Sequence, residues 1–424
     1  MKKTIFLFAF TLVAIVAAAQ NSWKMCVVSD VHLMAPELLE TDGKAFQDYL
    51  SADRKLLVES AEMLDSITCR LEAEHPDVVL VAGDLTKDGE RASHLLLVNR
   101  YLARLRKAGA RVFVVPGNHD VNNPHARVFQ GEQTPRTATI TRDDFATIYK
   151  DFGYGDAVAR DAHSLSYVAQ LTPGVRLLAL DACRYEDNDF DKDVCVTAGR
   201  LKTETLDFIR TQVAQAKAAG QKVVAMMHHG VVPHFSAEPL ILPEYLVDDY
   251  TTVSQLLSNL GVRVVFTGHL HGQDIATDGK LTDVETGSTV SFPHPYRIVE
   301  ATGDSLHIST KNVTALGSLS AQGISLAEKS KQFARLAVGK MVDDYLPAVV
   351  PETFKQRIGA LAGEAYVMHI AGDEQPSEAF LKEKAEVVKT IASVSPEMAQ
   401  TMDGLISSLI TDTAPADNEA VVAY

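Results

Sequence analysis

The chain has 424 residues, long enough for two domains, and its 46% apolar and 22% charged residues are the proportions of a globular protein. A formal net charge of -15 argues against a nucleic-acid groove, which relies on clustered Lys and Arg. A small phosphate remains compatible, because bound cations invert the local potential of an acidic protein.

Residues 1–19 read as a secretory signal peptide: Lys2 and Lys3, an apolar run over 5–16, then Ala17, Ala18 and Ala19. The run is shorter than the roughly 20 apolar residues of a membrane span. The expectation is therefore export and cleavage, with no stable membrane anchor. Four cysteines are present, and export would permit disulfides. Cys183 and Cys195 flank an acidic stretch and could close it, or all four could be unpaired core residues.

The first strand is expected over 24–29, ending on Asp30, and a helix over 55–74 with apolar residues at Leu56, Leu57, Met63, Leu64, Ile67 and Leu71. A second strand over 77–82 runs into Gly83-Asp84. A helix over 93–108 stops at Gly109, and a third strand over 111–115 ends at Pro116-Gly117. The grammar repeats: 175–180 ends on Asp181, 222–227 on His228 and 262–267 on Gly268-His269. Short paired strands are expected over 281–285, 289–291, 296–300 and 305–310, completing a second sheet. Strand grammar then disappears. Residues 324–410 read as three to four helices, with Phe333, Ala337, Met341 and Tyr345 on one face and Pro351, Pro376 and Pro396 near helix starts.

The expected organisation is a signal peptide at 1–19, an α/β domain at 20–312, a helical accessory domain at 313–412 and a frayed tail at 413–424. Every chemically loaded motif stands just past the carboxyl end of an apolar strand, the edge where α/β sheets bind ligands.

Five motifs occupy those ends. Asp30 and His32 are spaced to face one side. Asp84 follows a glycine that permits a sharp turn, and its carboxylate could bridge two cations or cap a helix. In Gly117-Asn118-His119-Asp120, Asn118 offers a carbonyl oxygen, His119 a proton for a phosphoryl or leaving oxygen, and Asp120 a hydrogen bond that would fix the His119 tautomer. Alone, this motif would also suit a plain turn. Of His228 and His229, the first lies nearer the strand end and is assigned as the ligand, the second to a supporting position. His269 and His271 complete the set. Carboxylate, amide and imidazole donors in this number suit two divalent ions from among Mn, Fe, Zn, Co and Ni. Such a pair promotes in-line phosphate-ester hydrolysis by an activated water.

This ordered set, D-x-H, G-D, G-N-H-D, H and G-H-x-H, resembles the calcineurin-like metallophosphoesterase superfamily over about residues 24–310. The resemblance implies a two-sheet αββα sandwich. It implies one ion held by Asp30, His32 and His271, a second by Asn118, His228 and His269, Asp84 as the bridge and His119 at the phosphate. Residues 83–90, 117–124 and 268–274 resemble the secreted bacterial branch related to class III cyclic-nucleotide phosphodiesterases, some of which carry C-terminal helices. Two departures stand out: Lys87 occupies the place of the purple acid phosphatase tyrosine, so no iron–tyrosinate is implied, and Gly230 replaces a common proline after the histidine pair.

His125, Arg127 and His234, and with them Lys87 and Arg184, are candidates for contact with phosphate or base, or else are loop residues. The expected activity is hydrolysis of a small phosphodiester such as a cyclic nucleotide. A phosphomonoesterase on the same site is the alternative, and a non-catalytic binding protein would require a missing ligand that this chain does not show. The implied partner is a small phosphate ester; the sequence does not define an oligomeric state.

Overall fold

The computed structural model describes residues 22–51, 53, 55–346 and 350–424. The expected signal peptide at 1–19 lies outside the described residues. None of the described helices is long and apolar enough to cross a membrane.

Among the described residues, thirteen strands follow in chain order: β1 Trp23–Val28, β2 Val78–Val81, β3 Arg111–Val114, β4 Ala159–Arg160, β5 Tyr167–Thr172, β6 Val175–Leu180, β7 Lys222–Met227, β8 Val264–Thr267, β9 Asp274–Thr277, β10 Thr282–Glu285, β11 Pro295–Thr302, β12 Ser305–Asn312 and β13 Glu419–Ala423. They form two sheets, ordered β13-β12-β11-β1-β2-β3 and β4-β5-β6-β7-β8-β10-β9. In the first, β1, β2 and β3 run parallel, with Val28 beside Val81 and Val81 beside Val114. In the second, β6, β7 and β8 run parallel. Parallel strands need both faces covered, which explains why β2 is buried along its whole length.

A core containing Val27, Val79, Phe113, Tyr167, Leu177, Met226 and Phe266 draws on both sheets. Three longer helices lie against them. α1 Ser60–Glu74 lays Leu64, Ile67 and Leu71 over Val28 and Val81. Full burial of one such aliphatic side chain contributes about 1.5–3 kcal/mol. α2 Thr203–Ala218 and α3 Tyr250–Leu260 cover the second sheet through Ile209, Val213, Val253 and Leu257. α4 Leu326–Tyr345 begins the C-terminal helical region.

That region continues with α5 Glu352–His369, α6 Glu378–Ala392 and α7 Pro396–Leu409. It has its own core of Val338, Ile358, Leu361, Val387 and Ile406. The buried face of α4 carries Ala334 and Val338, whereas Met341 of the expected stripe is 48% exposed. The four-residue spacing was read one position out of phase; the side chain of Tyr345 lies outside the described residues.

Three expectations are corrected. Residues 289–291 form a turn rather than a strand. The late strands do not all complete one sheet: β9 and β10 join the second, while β11 pairs antiparallel with β1 in the first. The tail is not frayed, because β13 pairs with β12 from Ser305 with Ala423 to Ser309 with Glu419. The open edge of β12 would otherwise leave backbone groups unpaired. The four helices are thus inserted between two strands of one sheet.

Candidate metal centre

The parallel strands bring their carboxyl ends to one edge. Asp30 and His32 leave β1, Asp84 leaves β2, Asn118 leaves β3, His228 leaves β7, and His269 and His271 leave β8. Backbone bonds knit these loops together: Asp30 N–H donates to Gly83 O at 3.1 Å, His32 N–H to Asp84 O at 2.9 Å and Gly268 N–H to His228 O at 3.0 Å.

Five of these residues hold left-handed backbone: Asp30 (φ 51°), His32 (φ 38°), Asp84 (φ 48°), His269 (φ 80°) and His271 (φ 66°). Non-glycine residues rarely adopt this conformation, and each instance costs on the order of 1–3 kcal/mol. Asp84 is therefore no helix cap. The next helix starts at Arg91, with Glu90 and not Asp84 at its N-cap position.

The donors fall into two overlapping groups. Asp30, His32, Asp84 and His271 each place a donor atom within 4.8 Å of the others, and so do Asp84, His228 and His269. In the first, His271 Nε2 is 3.2 Å from Asp30 Oδ1 and 3.1 Å from His32 Nε2. Asp84 faces both: Oδ2 lies 3.5 Å from His32 Nε2, and Oδ1 lies 3.4 Å from His228 Nε2. Asn118 Oδ1 reaches His228 Nε2 at 3.3 Å, which places it in the second group. All seven residues are buried.

Ring orientation is set from behind. His228 Nδ1–H donates to Ala82 O at 2.8 Å, turning Nε2 toward Asp84. His269 Nε2 meets Glu244 O at 3.3 Å, leaving Nδ1 for an ion. Asp30 Oδ2 accepts from Ser29 Oγ at 2.6 Å and His269 N–H at 3.0 Å, whereas Oδ1 is buried and accepts no hydrogen bond. An orphaned carboxylate oxygen aimed at two imidazole nitrogens fits a cation. Burial, then Lys55, holds His32 well below the usual histidine pKa; burial, then His229, does the same for His269. Burial opposes charge on His228 as well, but Asp84 outweighs it and the pKa rises to about 9. An ion bound there would have to displace that proton.

His119 stands at the rim, its side chain 26% exposed, with Nε2 3.9 Å from Asp84 Oδ2. Its Nδ1 is held not by Asp120 but by Asp88 Oδ1, at 2.8 Å. Burial disfavours the charged ring, yet Asp84 and Asp88 keep its pKa above the usual value. Asp88 is held in turn by the buried Lys87 ammonium, which lies 4.4 Å from the Tyr49 ring centroid. Lys87 is thus a support rather than a phosphate contact. The signal that could have revealed Asp88 was its place in the acidic run after Gly83-Asp84.

Asp120 is fully buried and faces away from His119. It accepts from Gly117 N–H at 2.8 Å, Leu85 N–H at 3.1 Å, Thr86 N–H at 3.0 Å and Thr86 Oγ1 at 2.9 Å. Its work is to splice the loops after β2 and β3. With both oxygens occupied by these donors, the expected pairing with His119 does not form.

Of the remaining candidates, His229 lies beneath His269 at 4.5 Å between ring centroids and meets Thr197 O at 2.9 Å. His125 Nε2 meets Asp193 O at 2.8 Å, and Arg127 forks onto both Asp193 oxygens at 2.7 Å. These two fasten a loop, and Arg184 pairs with Asp187 at 2.8 Å. His234 is buried in a separate acidic environment, with Nδ1 2.8 Å from Asp274 Oδ1. Cys183 and Cys195 are unbridged; their thiols donate to Pro116 O at 3.4 Å and Asn118 O at 3.6 Å, flanking the asparagine loop.

A two-sheet sandwich that gathers this donor set at its paired strand ends defines the class as a metallophosphoesterase. The chain belongs to the calcineurin-like phosphoesterase family, whose model matches residues 24–273. Among solved structures, it is similar to a dimetal phosphatase from Danio rerio at 17% identity, over 68% of this chain and 96% of the other, with a TM-score of 0.49. It is similar to a purple acid phosphatase from yellow lupin (Lupinus luteus) at 11% identity, over 69% and 52%, with a TM-score of 0.43. A putative 5'-nucleotidase from Staphylococcus aureus aligns at 13% identity, over 77% and 59%, with a TM-score of 0.39. A comparison with curated proteins finds no match.

Proposed function

We propose that this protein is an exported phosphodiesterase that hydrolyses a small phosphodiester, such as a cyclic nucleotide, at a dinuclear centre. The observation that carries the reading is Asp84, whose two oxygens face the His32 group and the His228 group at 3.5 and 3.4 Å. Asp30, His32 and His271 would hold one divalent ion, Asn118, His228 and His269 the other, and Asp84 would join them. Two such ions, when bound, supply Lewis-acid activation of water and of the phosphoryl oxygens.

The chain's own residues supply the rest. His119 stands where it can hand a proton to a departing oxygen, and Asp88 keeps its Nδ1–H engaged so that Nε2 faces the centre. The strained strand ends keep the donors convergent before any substrate arrives.

The choice of a diester rests on the resemblance of residues 83–90, 117–124 and 268–274 to the cyclic-nucleotide phosphodiesterase branch.

The test is metal-dependent turnover by the protein beginning at Gln20, stripped with chelator and reloaded with Mn, Zn or Fe(II), on bis-p-nitrophenyl phosphate against p-nitrophenyl phosphate. Diester turnover that returns with metal and vanishes in Asp84→Ala supports the proposal; a monoester preference replaces it with a phosphatase.

A further inference from the structure

Behind the catalytic loop lies a second buried group of donors that the proposed reaction does not use. Asp274 opens β9, three residues after His271; His369 closes α5; Glu374 lies on the loop that follows. One donor atom from each lies within 4.8 Å of the others. Donors sharing one ion with bonds of about 2.1 Å stand roughly 3–4 Å apart, so a small inward adjustment suffices.

Two further observations point to a ligand. Glu374 Oε2, beside His369, is buried and has no hydrogen-bond partner. The His369 and Glu374 side chains are only 3% and 2% exposed. His369 Nδ1 lies 2.8 Å from Glu374 Oε1, so an ion shared by these two residues would take Nδ1 in place of its proton. Phe235 packs edge-on against the His369 ring at 4.9 Å, closing one side with apolar surface.

The surroundings are acidic, and one imidazole, His234, faces Asp274 at 2.8 Å and Glu285 at 3.4 Å. The one buried arginine here, Arg297, directs its guanidinium to the carbonyls of Asp274, Glu285 and Asp417 and to the Thr310 hydroxyl, not to a carboxylate. Buried carboxylates crowded in this way are stabilised by a nearby cation.

We propose that Asp274, His369 and Glu374 bind a third divalent transition-metal ion, which pins the helical insertion to the loop carrying His269 and His271. One imidazole and two carboxylates suit Zn or Mn. The ion's role is structural: it joins the end of α5 to the first residue of β9, where Gln273 N–H already donates to Ile370 O at 3.3 Å.

The test uses the full chain beginning at Gln20, reloaded with Zn and desalted. Metal analysis is expected to find three ions per chain, with His369→Gln and Glu374→Gln each holding one fewer and keeping diester turnover. Anomalous diffraction from crystals of the Zn-loaded unmutated protein is expected to show a peak between His369 and Glu374, separate from those at Asp84. That measurement decides the matter even if a variant does not fold, and it is independent of whether the dinuclear reading holds. No anomalous peak at His369 under Zn loading overturns the proposal and identifies the group as a proton-sharing network.

Discussion

His119 Nδ1 lies 2.8 Å from Asp88 Oδ1, and Asp88 is itself clamped by the buried ammonium of Lys87. This Lys87–Asp88–His119 relay fixes which ring nitrogen faces the centre. Replacing Asp88 with Asn removes the charge but retains the shape. Turnover of bis-p-nitrophenyl phosphate is expected to fall about 10–100-fold, the usual effect of losing such a supporting partner. The bound-metal count is expected to stay the same, since Asp88 contributes no donor to either group.

Asp120 is expected to behave differently. Asp120→Ala strips the acceptor from three backbone N–H groups and one hydroxyl. Each buried group left unpaired costs about 1–3 kcal/mol, so a loss of at least about 3 kcal/mol is expected in urea unfolding. A stability loss without a matching change in the residual kcat per metal-loaded enzyme would separate Asp120 from Asp88.

The two donor groups should empty separately. His271→Ala removes a donor only from the Asp30 and His32 group, and His228→Ala only from the other. Each is expected to lower the ion count by one after desalting, while Asp84→Ala weakens both. Equal loss of both ions in His271→Ala would show that Asp84 does not divide the centre in this way.

Gly83 tests the close approach of two loops. Its φ is +95°, and a Cβ there would run into the His228 ring. Gly83→Ala is expected to destabilise the fold by more than about 1 kcal/mol. It should also weaken the His228 ion more than the His271 ion in a chelator titration.

His294 supplies a pH prediction away from the metal centre. Burial pushes its pKa down to about 4, despite the carbonyl of Thr289 at 3.0 Å. The unfolded chain protonates near the usual value of about 6.5, so between those pH values the unfolded state binds more protons. Stability from this residue is full above about 6.5 and is lost as pH falls through the folded value of about 4. The contribution is about 3 kcal/mol. Urea midpoints at pH 7 and pH 4.5 should converge more closely in His294→Asn than in the unmutated chain.

Much of the centre was legible because chain geometry made it so. A short apolar run that ends on Asp, Asn or His can be read from residue type alone, and parallel strands deliver their ends to one edge. That reasoning located Asp30, His32, Asp84, Asn118, His228, His269 and His271. The partner of His119 is not its sequence neighbour Asp120, as expected, but Asp88. The carboxylate that reaches His119 comes from a different loop, 31 residues earlier. His125 and Arg127 are likewise near the motif in sequence, but Asp193 holds them elsewhere.

Local hydrophobic pattern and side-chain chemistry set the strand ends, the donor types and their order. Three features came from the assembled fold alone: the carboxylate that orients His119, the left-handed backbone of five donor-bearing residues, and the return of β13 to the edge of β12 after four helices. Each depends on contacts between segments far apart in the chain. Such contacts are selected by the burial and hydrogen bonding of the whole fold, and no local pattern encodes them.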